Sequence, residues 1–368
     1  MSSAKNPLTS RWGPVITGVC VGILATLLVH FGNPGNMGIC VACFTRDIAG
    51  ALGLHRAGVV QYIRPEIIGF VLGAFAAAVL SREFRPRCGS SPILRFFLGV
   101  FAMIGALVFL GCPWRAYLRL SGGDWNAVPG ILGLTAGILI GITFLRAGFS
   151  LGRNRSSSWP VGWVMPMVGL GLLALLLTAP LLGRDPTGDP VGPIFFSSKG
   201  PGSMHASILI ALAIGMFVGF LAQRSRFCTV GAIRDAALMR DYHLLYGVLA
   251  LIVAAFAANL VLGQFKSGFA DQPVAQTNIL MNFAGMALAG LAFTLAGGCP
   301  GRQVFLSGEG DGDAGVFVLG MLVGAGFAHN FSLASSPKGP GPYGLVAVIV
   351  GAAFCLAVGL SMRDTGKA

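Results

Sequence analysis

Ten long stretches of this chain contain no Asp, Glu, Lys or Arg: residues 12–45, 67–81, 96–114, 125–145, 156–183, 200–223, 242–265, 272–301, 314–337 and 339–362. This spacing restricts the fold more than any motif, because a helix crossing the ~30 Å hydrocarbon core of a bilayer needs about 20 mostly apolar residues. Nine stretches have that length. The short one, 67–81, is lengthened by Tyr62 and Ile63, with Arg64 and Glu66 expected to reach back to the interface. The expectation is an all-α polytopic membrane protein with ten crossings. Only 10% of residues are charged and 55% are hydrophobic, against about 25% charged in ordinary soluble domains. The 55 glycines suit helices that pack closely in a membrane.

Lys and Arg set the expected orientation. With the N-terminus in the cytoplasm, the inner segments hold 16 of the 25 basic residues, from Lys5 and Arg11 to Arg363 and Lys367, leaving 9 outside. That agrees with the positive-inside bias. The net charge of +12 is therefore a signal of topology. A nucleic-acid partner would need a basic cluster on a soluble face, and none is present. Lys5 and Arg11 precede the apolar run from Trp12 to Phe31 without a small-residue cleavage site, which reads as a retained first helix in a bacterial inner membrane.

Two signatures recur at nearly one offset. Cys40-Val-Ala-Cys-Phe-Thr-Arg46-Asp47 and Cys228-Thr-Val-Gly-Ala-Ile-Arg234-Asp235 share the form Cys-x5-Arg-Asp, and Gly111-Cys112-Pro113-Trp114-Arg115 matches Gly298-Cys299-Pro300-Gly301-Arg302. A duplication follows, with repeats at 1–183 and 207–368 and an external linker at 184–206 rich in Pro and Gly. Five crossings per repeat is odd, so the halves should be inverted relative to each other. Such repeats place a binding site at the midplane between broken helices. Both termini are then cytoplasmic.

Pro suits the first turn of a helix, and the Gly before it permits a sharp turn. Gly-Cys-Pro thus puts Cys112 and Cys299 at helix N-termini, where free N–H groups and the helix dipole favour an anion and thiolate character. Arg115 and Arg302 follow one turn later, placed to hold an anionic substrate or to pair with a carboxylate. The plainer alternative is a proline kink beside an inert thiol. Cys-x5-Arg-Asp suggests a short re-entrant helix: the breakers from Gly32 to Gly38 end the first crossing, and Ile39 to Phe44 is too short to span. The neighbouring Arg46 and Asp47, like Arg234 and Asp235, point to different helix faces and are expected to fasten separate elements.

Cys20 and Cys355 read as core residues, and Cys88 as a reduced thiol in a cytoplasmic basic loop. Cys43 forms Cys-x2-Cys with Cys40, a possible redox pair, but its counterpart is Gly231. His30, His205, His243 and His329 lie near helix ends without metal-ligand spacing, so no metal or other cofactor is expected. No phosphate-binding loop suggests ATP hydrolysis. Few acidic residues fall in the crossings, which fits a channel or a carrier driven by downstream consumption better than a carboxylate relay.

These motifs resemble the YeeE/YedE family of bacterial membrane proteins, which includes thiosulfate transporters. The likeness covers nearly the whole chain, and Leu295-Ala-Gly-Gly-Cys-Pro-Gly-Arg302 is its most specific stretch. It implies an hourglass-shaped helical protein with Cys40, Cys112, Cys228 and Cys299 at a narrow waist, where the solute passes by S–H···S contacts. The run from Gly35 to Asp47 looks like the subgroup linked to selenium metabolism. The partners implied are a small sulfur or selenium solute, the lipid bilayer and a cytoplasmic sulfur-carrier protein. The competing class is a membrane thiol–disulfide oxidoreductase or sulfurtransferase using Cys40 and Cys43. A third reading is a membrane scaffold that binds the carrier protein.

Overall fold

The computed structural model describes residues 7–178 and 194–363. Residues 184–193 of the expected linker, Lys5, Lys367 and both chain ends lie outside the described residues.

Ten long apolar helices occupy the charge-free stretches. In the first half they are α1 (Gly13–His30), α3 (Pro65–Leu80), α4 (Pro92–Phe109), α6 (Ala127–Arg146) and α7 (Trp159–Thr178). In the second half they are α8 (Ile208–Ser225), α10 (His243–Val261), α11 (Ile279–Ala296), α13 (Gly312–Asn330) and α14 (Gly344–Ser361). Among the described residues nine are long and apolar enough to cross a membrane, and α3, with 16 residues, is a shorter apolar tenth. The protein is a multi-pass α-helical membrane protein.

Four further helices are too short to span: α2 (Val41–Ala51) and α9 (Thr229–Met239) with 11 residues each, and α5 (Pro113–Ser121) and α12 (Pro300–Gly308) with 9 each. At 1.5 Å per residue they cover about half of the hydrocarbon thickness. They stand in the same order in both halves. The α2 helix differs from the expected Ile39–Phe44 segment: it begins after Cys40 and runs on through Arg46 and Asp47 to Ala51, every residue of it buried. Protein covers it on all sides, so its charges find partners there and do not end the helix. The only sheet among the described residues is the two-residue antiparallel pair β1 (Arg87–Cys88) and β2 (Arg155–Ser156).

The long helices pack reciprocally between halves. The α1 helix lies along α10 as α8 lies along α3, and α4 lies along α13 as α11 lies along α6; α4 and α11 also meet each other. Glycine makes these seams possible. A Cβ on Gly18 would collide with the Gly247 carbonyl, and one on Gly73 with the Met216 carbonyl, so backbones touch across α1–α10 and α3–α8. The last helix of each half breaks the pattern: α7 packs on α3, α12 and α13, whereas α14 packs on α11 and α4.

Arg64 and Glu66 correct the sequence expectation. Neither reaches an interface, and both are fully buried. The Arg64 Nε donates to Asp47 Oδ2 at 2.8 Å, and its terminal nitrogens donate to the Pro201 and Met204 carbonyls. Glu66 accepts from Asn33 Nδ2 at 2.7 Å. Internal acceptors, some on the distant segment 194–206, replace the water that the side chains would otherwise seek.

Candidate solute pathway

Each of the four motif cysteines is the N-cap of a short helix: Cys40 for α2, Cys112 for α5, Cys228 for α9 and Cys299 for α12. An N-cap side chain meets the free N–H groups of the first turn, and three sulfurs do so. Cys40 Sγ accepts from Cys43 N at 3.3 Å, Cys228 Sγ from Gly231 N at 3.2 Å, and Cys299 Sγ from Arg302 N at 3.4 Å. The breaks before α5 and α12 are left-handed at equivalent positions, Leu110 (φ 65°) and Gly297 (φ 91°), after which Pro113 and Pro300 start the new helix.

The cysteines form two pairs. Cys40 Sγ and Cys112 Sγ are 3.9 Å apart. In the second half the Cys299 N–H donates to Cys228 Sγ at 3.4 Å. Trp114, next after Pro113, joins the pairs: its ring lies 5.3 Å from that of Phe227, the neighbour of Cys228, and against Gly301 in the Cys299 motif. Thus four helix N-termini carrying thiols converge on one buried region. All eight cysteines are free. Cys20 and Cys355 lie in α1 and α14, and Cys88 in β1, away from this region.

The arginines diverge between copies. Arg115 is fully buried and, among the described residues, pairs with no carboxylate: its nitrogens donate to the Asn36, Leu110, Pro273 and Val274 carbonyls, and one lies 3.7 Å from Cys43 Sγ. Arg302 instead meets Glu309 at 3.4 Å. Glu309 also takes Arg226 at 2.9 Å and Arg87 at 3.5 Å. Outside the spanning helices Glu83 joins this network; partial burial works against its charge, but hydrogen bonds from Gln223 and Arg224 and the nearby Arg226 hold its carboxyl below the ordinary value.

The Arg-Asp neighbours do pair with each other, contrary to expectation. Arg46 donates to Asp47 Oδ1 at 2.6 Å, and Arg234 to Asp235 Oδ1 at 2.7 Å. For the buried Arg46–Asp47 pair, out of reach of water, the adjacent carboxylate is the nearest acceptor even when the Cα–Cβ vectors diverge. Fastening also occurs: Asp47 holds Arg64, and Arg234 reaches the Gly297 carbonyl. Sequence reasoning overlooked Arg119, fully buried with Asp124 at 2.6 Å, and Trp114. The signal for Trp114 was legible, since one motif carries Trp where its copy carries Gly. Sequence reasoning also left out His55, whose buried ring lies 4.4 Å from that of His329 at a tilt of 35°. Among the described residues no group of His, Cys, Asp and Glu is arranged to hold a metal.

The chain matches the family described as sulphur transport over residues 1–144 and 224–361, which include all four cysteine motifs. It belongs to the YeeE/YedE sulphur-transport family. Two relatives in that group are called thiosulfate transporter TsuA. The one from Escherichia coli K12 is 31% identical over 108 residues, covering 29% of this chain and 30% of its own. The one from Spirochaeta thermophila is 31% identical over 103 residues, covering 28% of this chain and 31% of its own. Each match therefore spans less than a third of the relative's length. The family match omits 145–223, the region that holds α7 and most of α8.

Proposed function

We propose that this protein imports a small anion with terminal sulfur, thiosulfate or a close analogue, across the bacterial inner membrane. In this reading both termini are cytoplasmic, the repeats 1–183 and 207–368 are inverted, and 184–206 lies outside. The observation that carries it is the convergence of four cysteine-capped helix N-termini. A bare dianion in hydrocarbon faces a prohibitive desolvation cost. Each N-terminus offers the equivalent of about half a positive charge, and Arg115 adds a buried cation that, among the described residues, has no carboxylate beside it. Thiols are weak, polarizable donors that suit sulfur better than hard oxygens and hold it loosely enough to release. Positive-inside bias supports the orientation. Of the nine basic residues assigned outside, Arg46, Arg64, Arg115 and Arg119 are buried within the protein, so the contrast between exposed loops is sharper than the raw count.

The test is uptake of labelled thiosulfate, selenite and selenate into sealed right-side-out vesicles containing the protein. Thiosulfate uptake well above that of empty vesicles is expected. Uptake of selenium anions alone would assign the selenium subgroup. No uptake of any of the three, together with a Cys40–Cys43 disulfide that cycles with reductant, would replace the transporter with the oxidoreductase.

A further inference from the structure

The duplicated Gly-Cys-Pro-x-Arg motif differs at one internal position, Trp114 in the first copy and Gly301 in the second. The structure brings those two positions into contact. A Cβ added to Gly301 would stand 3.2 Å from Trp114 Nε1 and 3.2 Å from its Cε2, so the indole edge lies directly over the glycine. Room exists for one bulky side chain at this junction and not for two. The indole is fully buried and walled by Phe70, Phe227 and Phe305, with ring centroids 6.3, 5.3 and 5.9 Å away. In the chain the indole follows Cys112, of the Cys40–Cys112 pair, by two residues. Its contacts with Phe227 and Gly301 fall next to Cys228 and two residues after Cys299.

We propose that Trp114 is the gate of the pathway: its indole closes the passage between the two cysteine pairs and donates its Nε1–H to the solute as it tilts aside. The inference rests on the transport reading above and adds the residue that controls passage. The indole nitrogen supports it. Buried Trp N–H groups normally find an acceptor, and leaving one unmade is costly, yet Trp114 Nε1 has no partner among the described residues. A structural filler would do better as Phe, which fits an aromatic wall without an orphan donor. Here the orphan donor lies against Gly301, at the junction of the two cysteine motifs.

The experiment labels the protein in sealed vesicles with a membrane-impermeant, charged thiol reagent added from one side, and locates modified cysteines by peptide mass mapping. With Trp in place, the pair beyond the indole should be modified at least about tenfold more slowly than in Trp114→Ala, a difference of roughly 1.4 kcal/mol in access. Trp114→Phe should keep the far pair protected while thiosulfate uptake falls several-fold, because the plug remains and the donor is gone. Cys355, buried in α14, is the folding control and should stay unmodified in every folded variant. Far-pair protection that is unchanged in a folded Trp114→Ala overturns the gate, as does full uptake by Trp114→Phe for the donor role. Should Trp114→Ala expose Cys355, Trp114→Leu takes its place with the same expectation for the far pair. Labelling needs no transport, so a protein that moves no thiosulfate still reports whether the plug exists; absence of uptake from every variant counts against the function and not against the gate.

Discussion

The two copies of the motif share a frame and differ in wiring. In the first, Asp47 lies between Arg46 and Arg64, all three at most 2% exposed, and Arg115 spends its donors on four carbonyls. In the second, Arg234 and Asp235 are partly exposed, at 25% and 9%, and Arg302 belongs to a carboxylate network with Arg226 and Arg87. Duplication explains what is common, namely a cysteine N-cap, a short helix and an arginine one turn later. Burial explains the divergence. An arginine sealed from water draws its partners from local carbonyls and carboxylates, whereas one near solvent needs only a nearby opposite charge.

The largest expected contrast is at the aspartates. Asp47→Asn leaves two buried cations without a counter-charge, a change that costs about 3–5 kcal/mol. Asp235→Asn removes a partly exposed pair worth about 1 kcal/mol or less. Thermal unfolding in detergent should show a large loss for the first and a small one for the second. Equal losses would mean that the two copies are wired alike after all.

Next come the arginines. Lys carries the charge but not the planar fork of five donors. Arg115→Lys strands several buried carbonyls and should lower uptake by about tenfold or more, since each hydrogen bond to a charged group contributes about 1.5–3 kcal/mol. Arg302→Lys keeps an ammonium beside Glu309 and should retain most uptake. A reversed order would place the critical cation on the other side of the gate.

The thiols should behave alike in both copies. Cys112 and Cys299 hold equivalent N-cap positions, though only the Cys299 sulfur accepts a cap hydrogen bond, so serine at either should lower uptake strongly, and alanine no further, if the solute's sulfur needs a soft partner. Near-normal uptake by both serine variants at matched expression would reduce the thiols to ordinary hydrogen-bond donors. The smallest effect belongs to Cys43. Its backbone N–H donates to the Cys40 sulfur as that of Gly231 donates to the Cys228 sulfur, and its own sulfur lies 3.7 Å from an Arg115 nitrogen. Cys43→Ser should therefore keep most uptake, and loss of flux in that variant would revive the redox pair.

The crossings were legible because lipid punishes charge uniformly, so charge-free stretches of the sequence coincide with α1, α3, α4, α6 and their counterparts. The half-helices were only partly legible. Gly-Cys-Pro announced α5 and α12 through the stereochemistry of proline. For α2, however, Arg46 and Asp47 looked like the end of a membrane segment. Their partners are Arg64, 17 residues on, and a fold that covers them entirely. The same holds for Arg64 and Arg115, whose acceptors lie on 201–204 and 273–274. Local pattern reveals which residues avoid lipid, and only tertiary structure reveals which charges avoid water as well.

The glycine seams bear on how such a protein can move. Backbone touches backbone along α1–α10 and α3–α8, and each seam joins one half of the chain to the other. A rocking cycle in which one half tilts against the other, as in alternating-access carriers, would have to part those contacts and expose carbonyls to lipid on every turnover. The seams instead tie α1 to α10 and α3 to α8 across the two halves. In the transport reading proposed above, motion then falls first to the short helices and to side chains at the junction.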